Sequence, residues 1–276
     1  MFPIELVTSF GSVQRVGGVA VARRRFGVPP GGPFDFDAAR LANALVGRPL
    51  NTNLWELAIS SATFTAETDG FVATVGASAR VTIGSSIGVT NSVRRVIAGE
   101  SVTIAVPTAG CRVYCQWGLI GREGRIDYDP GSQATWDVIT GPDAHRFPAG
   151  WPETVRLSSL MNRVGVRAVA EDRLTHDHKL PSKPQVVGSG QVTPLGELII
   201  IGPDGPVTGG YPQILTVART SMSTVAQSIP GQVIRLRSVS IEDARAQWDL
   251  REAAFLTRLK EIGAGLATPV SHVRNA

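Results

Sequence analysis

Residues Leu54–Ile83 read LWELAISSATFTAETDGFVATVGASARVTI, a stretch in which apolar and polar side chains alternate over short runs. Alternation with a period of two is typical of β-strands that bury one face. Comparable runs continue to Val138, and Gly, Asn, Asp or Ser separates most of them. Many short strands at this spacing predict a β-barrel or a β-sandwich. The predicted strands are Leu54–Ile59, Phe71–Val75, Ala79–Ile83, Ile87–Thr90, Val102–Val106, Cys111–Trp117 and Ala134–Val138.

A second β-rich region follows the loop Gly141–Gly150, which reads GPDAHRFPAG and turns at Pro142-Asp143. A chain of 276 residues is long enough for one large or two smaller domains. We therefore predict two mainly β domains, residues 1–140 with one short helix and residues 141–276 with a C-terminal helix. The strands predicted after the loop are Val164–Val169, Gln185–Gln191, Glu197–Ile201, Gln213–Ala218 and Val233–Leu236.

The short helix of the first domain is predicted to begin after Asp35. An aspartate suits the N-cap position, and a second carboxylate at Asp37 favours the positive end of the helix dipole. Gly47 and Pro49 end the pattern. The apolar side chains that recur at helical spacing are Ala38, Leu41, Ala42 and Leu45.

The C-terminal helix is predicted to begin at Ser240, which resembles the first residue of a capping box with Asp243. Gly263 and Gly265 are expected to end it. We expect its apolar face to pack onto the second β domain, and the alternative is packing onto a partner subunit. That face consists of Ile241, Ala244, Trp248, Phe255, Leu259 and Ile262.

Residues 4–16 alternate weakly between apolar and polar side chains, with Gly11 in the middle. A glycine between two alternating runs favours a turn. The segment is therefore predicted to form a hairpin-like pair of strands.

Charge and aromatic content argue against a nucleic-acid-binding protein. The net charge is +4, and all 27 basic residues except Lys179, Lys183 and Lys260 are arginine. They are scattered apart from the run Arg23–Arg25, and aromatic residues make up only 6% of the chain. Nucleic-acid binding would require a basic stripe with interleaved aromatic side chains.

The sequence also predicts neither a membrane protein nor a metalloprotein. No apolar run reaches the roughly 18 residues of a membrane helix, and the start MFPIELVTSF does not resemble a signal peptide. We therefore expect a cytoplasmic protein. Cys111 and Cys115 are expected to be buried free thiols, because same-face strand positions are too far apart for an easy disulfide. His176 and His178 have ligand-like spacing but are expected to lie in a solvated loop, so no metal site is predicted.

The most distinctive polar stretch is Gly202–Arg219, GPDGPVTGGYPQILTVAR. The pair Gly209-Gly210 permits positive φ or the close approach of another group. Pro212 cannot donate a ladder hydrogen bond and suits the start of a strand. Two interpretations follow, a tight turn with a packing tyrosine and a turn that presents hydroxyl and backbone N–H groups to a ligand.

Other polar residues suggest what such a ligand would be. The densest constellations resemble a carboxylate- or amide-recognition set more than a nucleophilic site. The chain has neither the G-x-x-x-x-G-K-[ST] phosphate loop nor a G-x-S-x-G nucleophile elbow. The candidate binding residues are Gln14, Asp35, Asn162, Arg163, Gln191, Asp204, Thr208, Gly209, Gly210 and Tyr211.

Several motifs along residues 1–240 occur in an order that resembles one protein family. The matching segments are Val13-Gln14, Gly27–Pro30, Gly32, Asp35, Leu41–Asn43, Leu45–Gly47, Glu56, Gly76-Ala77, Gly141–Phe147, Asn162–Arg167, Gly190–Val192, Asp204 and Thr208–Pro212. The family that they resemble contains KipA, the C subunit of 5-oxoprolinase and the carboxyltransferase part of urea carboxylase, and its members are often labelled allophanate hydrolase subunit 2.

The chain departs from the family pattern at several positions. Arg15 stands where the family has aspartate, Asn162 replaces an acid, and Gly205 and Val207 replace an arginine and a threonine. A serine of the family is Gly31 here, and tens of residues are absent between Ile120 and Asp137. The chain therefore resembles a shortened, divergent member, whose fold transfers more securely than its activity.

The resemblance implies two β-barrel domains related to the cyclophilin-like fold. It also implies a complex with a KipI-like partner, similar to the B subunit of 5-oxoprolinase, and with a third subunit in related systems. The assembled complex would use ATP to process an amide, and this chain would hold no cofactor itself. The alternatives are a KipA-like protein that sequesters a kinase inhibitor and a subunit of a biotin-dependent carboxyltransferase.

The resemblance also suggests roles for candidate residues. Arg163 would neutralise a substrate carboxylate, for which a guanidinium fork is well suited. Asp204 and Gln191 would orient the substrate. The segment Thr208–Tyr211 would donate hydrogen bonds to it.

Overall fold

The first half of the chain forms an open, curled sheet of nine strands in the computed structural model, which describes residues 4–129, 134–172 and 174–267. The strand order is β5-β4-β7-β2-β8-β3-β6-β9, and β1 pairs with β2. The strands are β1 Ile4–Val16, β2 Leu54–Ala66, β3 Gly70–Ser78, β4 Arg80–Ile83, β5 Ser86–Val89, β6 Ser92–Val96, β7 Ser101–Ile104, β8 Ala109–Gly118 and β9 Gly124–Arg125.

Alternate side chains of strand β8 face two different environments, one on each side of the sheet. Val113, Cys115 and Trp117 belong to the hydrophobic core inside the curled sheet. Arg112 and Tyr114 alternate with them and lie on the opposite face, because successive strand residues point to opposite sides. Both faces are buried, so the sheet must be covered on its second face as well.

The second half forms a closed barrel of seven strands in the order β10-β17-β14-β15-β12-β11-β18. Trp136, Ile200 and Leu215 are fully buried in its core. Two short strands, β13 and β16, pair outside the barrel. The strands are β10 Thr135–Thr140, β11 Thr154–Met161, β12 Gly165–Val169, β13 Lys183–Pro184, β14 Ser189–Val192, β15 Glu197–Ile201, β16 Thr208–Gly209, β17 Gln213–Val217 and β18 Val233–Ser238.

The prediction of a mainly β protein with two barrel-like halves is confirmed. The grouping of Ala134–Val138 with the strands of the first half is wrong. Strand β10 pairs with β17 and β18, so the sheet changes between Arg125 and Thr135. Alternation identifies a strand but not its partners, and the boundary at residues 140 and 141 otherwise stays a prediction.

The hairpin predicted for residues 4–16 is also wrong, because the segment is one strand that pairs with β2 along its length. Gly11 marks a register shift between Phe10 and Ser12 and has a φ of 87°. A Cβ atom at this position would lie 2.4 Å from Ser60 Oγ. The glycine is therefore needed for a β-bulge and not for a turn.

Helix α1, Phe36–Leu45, begins where the sequence predicts. Asp35 caps it, since its Oδ1 accepts a hydrogen bond of 3.2 Å from Ala38 N. Leu41 and Leu45 are buried with Tyr114 of β8, so α1 covers part of the outer face of the first sheet. A short helix α2, Met222–Gln227, also contacts β8.

Helix α3, Ile241–Ala267, differs from the prediction at its end and in its packing. Ser240 caps the helix as predicted, since Asp243 N donates to Ser240 Oγ at 3.0 Å, and the Ser240 hydroxyl donates to Asp243 Oδ2 at 2.7 Å. Gly263 and Gly265 lie inside the helix and do not end it. The expectation that α3 packs onto the second domain is right for part of the helix, which contacts β10 and Arg219–Ser221, but Phe255, Leu259 and Ile262 pack against the cluster around α1.

Side chains from α3 hold α1 through both apolar and ionic contacts. Phe255 packs against the cluster around α1, and the guanidinium of Arg40 lies 4.6 Å from the centre of its ring. Arg40 also donates two hydrogen bonds of 2.8 Å to Glu252. Arg251 donates to Asp37 Oδ2 at 2.7 Å. The helix therefore joins the two halves of the chain.

Cys111 and Cys115 are buried free thiols, as predicted, and burial raises the pKa of Cys115 to about 12. No helix within residues 4–129, 134–172 and 174–267 has the length and hydropathy needed to cross a bilayer.

We predict that Phe255→Ala lowers the free energy of unfolding by about 2 kcal/mol, because it removes a half-buried aromatic ring from the contact between α3 and α1. Urea denaturation measures the change. Leu256→Ala is the matched control, since the neighbouring Leu256 is 41% exposed and should change stability by less than about 0.5 kcal/mol. Equal losses in the two variants would contradict the observed packing.

Candidate functional site

The two halves meet where the loop before α1 touches the second barrel. Gly31 N donates a hydrogen bond of 2.9 Å to Pro203 O. Arg163 Nη2 donates one of 2.7 Å to Gly32 O. The proline- and glycine-rich sequence FGVPPGGPFD leaves this loop without regular structure, and contacts from the second half hold it.

A buried carboxylate, Glu56 on β2, lies at the centre of this junction and is 1% exposed. Its Oε1 accepts 2.9 Å from Arg163 Nη1 and lies 3.6 Å from Arg112 Nε. Its Oε2 accepts 2.7 Å from the hydroxyl of Tyr114 and 3.0 Å from Phe34 N. Both oxygens are therefore partnered, as a buried charge requires.

Arg163 lies in the turn before β12 and uses all three of its guanidinium nitrogens on protein acceptors. Besides Glu56 and Gly32, it makes a bidentate pair with Asp204, at 2.7 Å from Nε and 2.9 Å from Nη2. Burial alone would lower the pKa of Arg163, but hydrogen bonds and charge from Asp204 and Glu56 raise it. The guanidinium therefore joins the two halves, and each of its three nitrogens already donates to a protein acceptor.

Asp35 forms a second buried connection between the halves. Besides capping α1, its Oδ2 accepts 2.7 Å from the hydroxyl of Tyr128 and 2.8 Å from Gln227 Nε2. Its backbone N donates to the Tyr114 hydroxyl at 2.7 Å. None of these neighbours is a cation, and burial raises the pKa of Asp35 above its usual 3.8.

Gln227 on α2 uses its whole amide at this junction. Its Oε1 accepts from the backbone N of Cys111 and of Arg112, at 3.1 and 2.9 Å. Its Nε2 donates to Asp35 and to Arg112 O, the latter at 3.0 Å. A residue of the second half thus pairs with the strand β8 of the first half.

The segment Thr208–Tyr211 lies at a different part of the second half. Thr208 and Gly209 pair with β13, and Tyr211 is 44% exposed. Neither Gly209 nor Gly210 has a positive φ, so that reason for the glycine pair does not apply. A Cβ on Gly209 would lie 2.4 Å from Gln185 Nε2 and 3.2 Å from Gln191 Nε2. Close approach of these two amides is the reason for glycine here.

The amides of Gln185 and Gln191 differ in how they are partnered. Gln191 Nε2 donates to Tyr211 O at 3.5 Å. Gln185 is 1% exposed, and within the described chain neither its Nε2 nor its Oε1 has a hydrogen-bond partner. Gln185 is not among the predicted site residues, and nothing in its local sequence indicates this environment.

The two remaining candidate residues are Gln14 and Asn162. Gln14 lies opposite Glu56 in the register of β1 and β2, and its buried Nε2 has no partner among the described residues. Asn162 accepts hydrogen bonds of 2.8 and 3.2 Å from Val164 N and Gly165 N, so it shapes the turn that carries Arg163. The structure therefore brings Asp35, Arg163 and Asp204 together at the junction, while Gln191 and Thr208–Tyr211 lie at a different part of the second half.

Sequence reasoning missed Arg112, Tyr114 and Gln227 as members of the junction. Glu56 was indicated only by the family resemblance. The signal that could have indicated Arg112 and Tyr114 is their alternation with apolar residues in CRVYCQW, which places polar side chains on a buried face.

The two histidines of the polar loop stay close to each other. His176 stacks on His178, and its Nε2 contacts Val192 O at 3.0 Å. No cluster of potential metal ligands is found in the part of the chain that the structure describes.

A pocket of 280 Å³ opens beside the ionic junction. The loop before α1 and α1 itself form one wall, and the second half with α3 forms the other. Its charged side chains are Arg24, Asp37 and Arg219. The apolar and aromatic side chains in its walls are Val19, Val21, Phe34, Phe36, Val186, Val187, Met222 and Trp248.

Comparison with known protein families shows which family the chain belongs to. The sequence profile described as carboxyltransferase domain, subdomain A and B, matches residues 26–118 and 121–238. The chain belongs to this carboxyltransferase-domain family. The match ends at the last residue of β18, so it includes the ionic junction and most of both β halves, but neither β1 nor α3.

Individual relatives agree with the family assignment. The chain is 28% identical to the C subunit of 5-oxoprolinase from Escherichia coli over 267 residues, covering 80% of this chain and 86% of that protein. It also superposes on the crystal structure of urea amidolyase from K. lactis, with a TM-score of 0.77 at 20% identity. That superposition covers 91% of this chain and 20% of the amidolyase.

A second solved relative supports the same fold. The crystal structure of urea carboxylase from Kluyveromyces lactis superposes with a TM-score of 0.77 at 19% identity, over 97% of this chain and 30% of that one. The carboxyltransferase-domain chain thus spans less than a third of either solved enzyme, and at these identities the likeness shows the fold alone.

We predict that Arg163→Met lowers the free energy of unfolding by about 3 kcal/mol, because it leaves Glu56 buried with its main cation removed. Chemical denaturation measures the loss. Arg167→Met is the matched control, since the pair of Arg167 with Glu197 is partly exposed and should contribute less than about 1 kcal/mol. A stable Arg163→Met protein would mean that the buried ion pair does not hold the halves together.

The raised pKa of Asp35 predicts a particular pH dependence. A carboxyl with a higher pKa in the folded protein binds protons more tightly there, so stability falls as pH rises from its unfolded pKa through its folded pKa. We expect wild type to lose stability relative to Asp35→Asn over that range and to differ by a constant amount above it.

Urea denaturation between about pH 3 and pH 8 checks this prediction. The control is Asp249→Asn, the same substitution at an exposed position of α3. A wild type that gains stability relative to Asp35→Asn as pH rises would show that the pKa of Asp35 is lowered in the folded state.

Proposed function

We propose that the protein is a non-autonomous subunit of a 5-oxoprolinase- or allophanate hydrolase-like amide-processing complex. The observation that carries the proposal is the similarity to the C subunit of 5-oxoprolinase over 80% of the chain. A protein named as one subunit of an enzyme implies further subunits. The partner would be a KipI-like protein similar to the B subunit of 5-oxoprolinase, and a third subunit would complete the complex.

In this proposal the chain binds a small carboxylate or amide at the second half of the molecule. Thr208, Gly209, Gly210 and Tyr211 would present hydrogen-bonding groups, and Gln191 would orient the substrate. The exposure of Tyr211 and the close approach of two glutamine amides to Gly209 support this location. The buried amide of Gln185 has no hydrogen-bond partner among the described residues, which costs free energy unless a ligand supplies one.

The other candidate residues take a supporting role in the proposal. Gln14, Asp35, Asn162, Arg163 and Asp204 would fix the loop and the turn that border the binding region. The hydrogen bonds of Asp35 with Tyr128, of Arg163 with Asp204 and of Asn162 with backbone N–H groups support a positioning role for these four residues. ATP would be bound by another subunit of the assembly, and this chain would contribute no cofactor.

Strand β1 offers a surface on which a partner could bind. It is 13 residues long and, within the described residues, pairs only with β2. Its side chains Val7 and Phe10 are 56% and 73% exposed. A long unpaired edge with exposed apolar side chains is typical of a strand that another chain covers.

Biotin-dependent carboxyl transfer is a second candidate function, favoured by the carboxyltransferase description of the family profile. Biotin would then arrive as the substrate of this chain, carried by another domain. Binding of a biotinylated carrier protein by the isolated chain would distinguish this candidate from the amide-processing one.

We expect the chain to co-purify with a KipI-like partner protein, and the pair to form glutamate from 5-oxoproline with ATP once the third protein of the complex is added. Phe10→Asp should reduce both co-purification and glutamate formation at least tenfold, because a buried unpaired carboxylate would disrupt the β1 contact. Quantitative pull-down and a coupled glutamate assay measure the two effects.

The matched control is Leu250→Asp on α3, since Leu250 is 74% exposed and lies away from β1. It should leave co-purification and activity near wild type. A reconstituted mixture that forms a complex but yields no ATP-dependent glutamate would count against the enzymatic part. Absence of any complex would remove the proposal as a whole.

A further inference from the structure

Two arginines in the pocket beside the junction have no carboxylate partner among the described residues. Arg24 donates one hydrogen bond through Nη2 to the backbone oxygen of Gln185, which fixes the side chain but leaves its charge uncompensated. For Arg219, ring contacts are found instead of an ion pair within the described chain. Its guanidinium lies 5.0 Å from the ring centre of Phe36 and 4.5 Å from that of Trp248.

The acids near these arginines are already paired with other cations. Asp37, which also lines the pocket, accepts from Arg251 Nε and Nη2 at 3.1 and 2.7 Å. Glu252 is close enough for Arg219 to contribute to the lowering of its pKa, although hydrogen bonds from Arg40 at 2.8 Å to both its oxygens are the main cause. The pocket therefore has a net positive charge that the described residues do not neutralise.

The walls of the pocket limit the kind of anion that fits. They are mostly apolar, with the side chains of Val21, Phe34, Val186 and Met222 among them. The volume of 280 Å³ lies just below the roughly 300 Å³ at which ligand pockets usually begin. A compact ligand with one charged group and an apolar or neutral body matches these walls better than a nucleotide or a multiply charged phosphate ester.

We propose that this pocket is a carboxylate-binding site of the chain, in which Arg219 and Arg24 receive the acid group of a small ring-shaped or short-chain monocarboxylate. Cation–π contacts with Phe36 and Trp248 position the guanidinium of Arg219, and a guanidinium fork suits a bidentate contact with a carboxylate. The proposal rests on the proposed function for the choice of ligand, and it assigns the acid group of that ligand to this pocket and not to the Thr208–Tyr211 segment.

The pocket also explains how the acid group could be recognised although Arg163 is occupied. Arg163 is neutralised by Glu56 and Asp204, so a second carboxylate there would meet two acids. Arg219 and Arg24 line the pocket, and Asp37, the acidic residue in its described lining, is already paired with Arg251. Recognition of the acid and connection of the halves are thus assigned to different arginines.

The test measures binding of 5-oxoproline to the isolated full-length chain by calorimetry, beside 2-pyrrolidone, which has the same lactam ring without the carboxylate. We expect 5-oxoproline to bind and 2-pyrrolidone to bind at least tenfold more weakly. Arg219→Met and Arg24→Met should each weaken 5-oxoproline binding at least tenfold. Arg25→Met is the matched control, because Arg25 stacks on Phe26 and does not line the pocket.

Thermal unfolding without ligand shows whether each variant is folded, and the two methionine variants test the site independently of each other. Unchanged affinity in both variants would overturn the proposal, as would equal binding of 2-pyrrolidone. Tighter binding of inorganic phosphate than of 5-oxoproline would also overturn it, as would no binding of 5-oxoproline at millimolar concentration. Complex formation and glutamate production could persist in each of these cases, so failure here is distinguishable from failure of the proposed function.

Discussion

The buried pair of Glu56 and Arg163 is the interaction on which the arrangement of the two halves depends. Taking both charges out of water costs several kcal/mol, which is recovered only if the geometry leaves no lone pair or N–H group unused. Here β2, β8, the loop before α1 and the turn before β12 each supply one partner. A shift of either half would unpair a buried charge, so the ion pair selects one relative orientation.

That orientation also determines the shape of the junction pocket. Arg163 holds Gly32 O, and Pro203 O accepts from Gly31 N, so the loop before α1 is fixed against the second barrel at two points. The pocket wall consists of the residues on either side of these contacts, including Pro30, Pro33 and Pro203. Helix α3 completes the opposite wall through Trp248. The pocket therefore exists only when the halves are assembled in this way.

Local patterns of the sequence predict elements well but not their partners. The alternation from Leu54 onward indicates strands because one buried face requires it, and Asp35 and Ser240 indicate helix starts because caps are local. The placement of β10 fails, since alternation is the same in either sheet. Gly11 and Gly263 fail as turn and stop signals because tertiary pairing and helix packing outweigh a local preference. The junction illustrates the same limit, since its members are separated by up to 192 residues along the chain.

Arginine is the residue for which sequence reasoning is least able to assign a role. Arg163 and Arg219 carry the same guanidinium group, and the motif around Arg163 made it the predicted ligand of a substrate carboxylate. The structure separates them by their surroundings, since Arg163 faces two carboxylates and Arg219 faces two aromatic rings. The segment Gly202–Arg219 connects both environments. Near its start, Pro203 lies in the pocket wall and Asp204 pairs with Arg163. At its end, Arg219 lines the same pocket. One continuous segment thus joins the ion pair that fixes the halves to the cavity which that fixation creates.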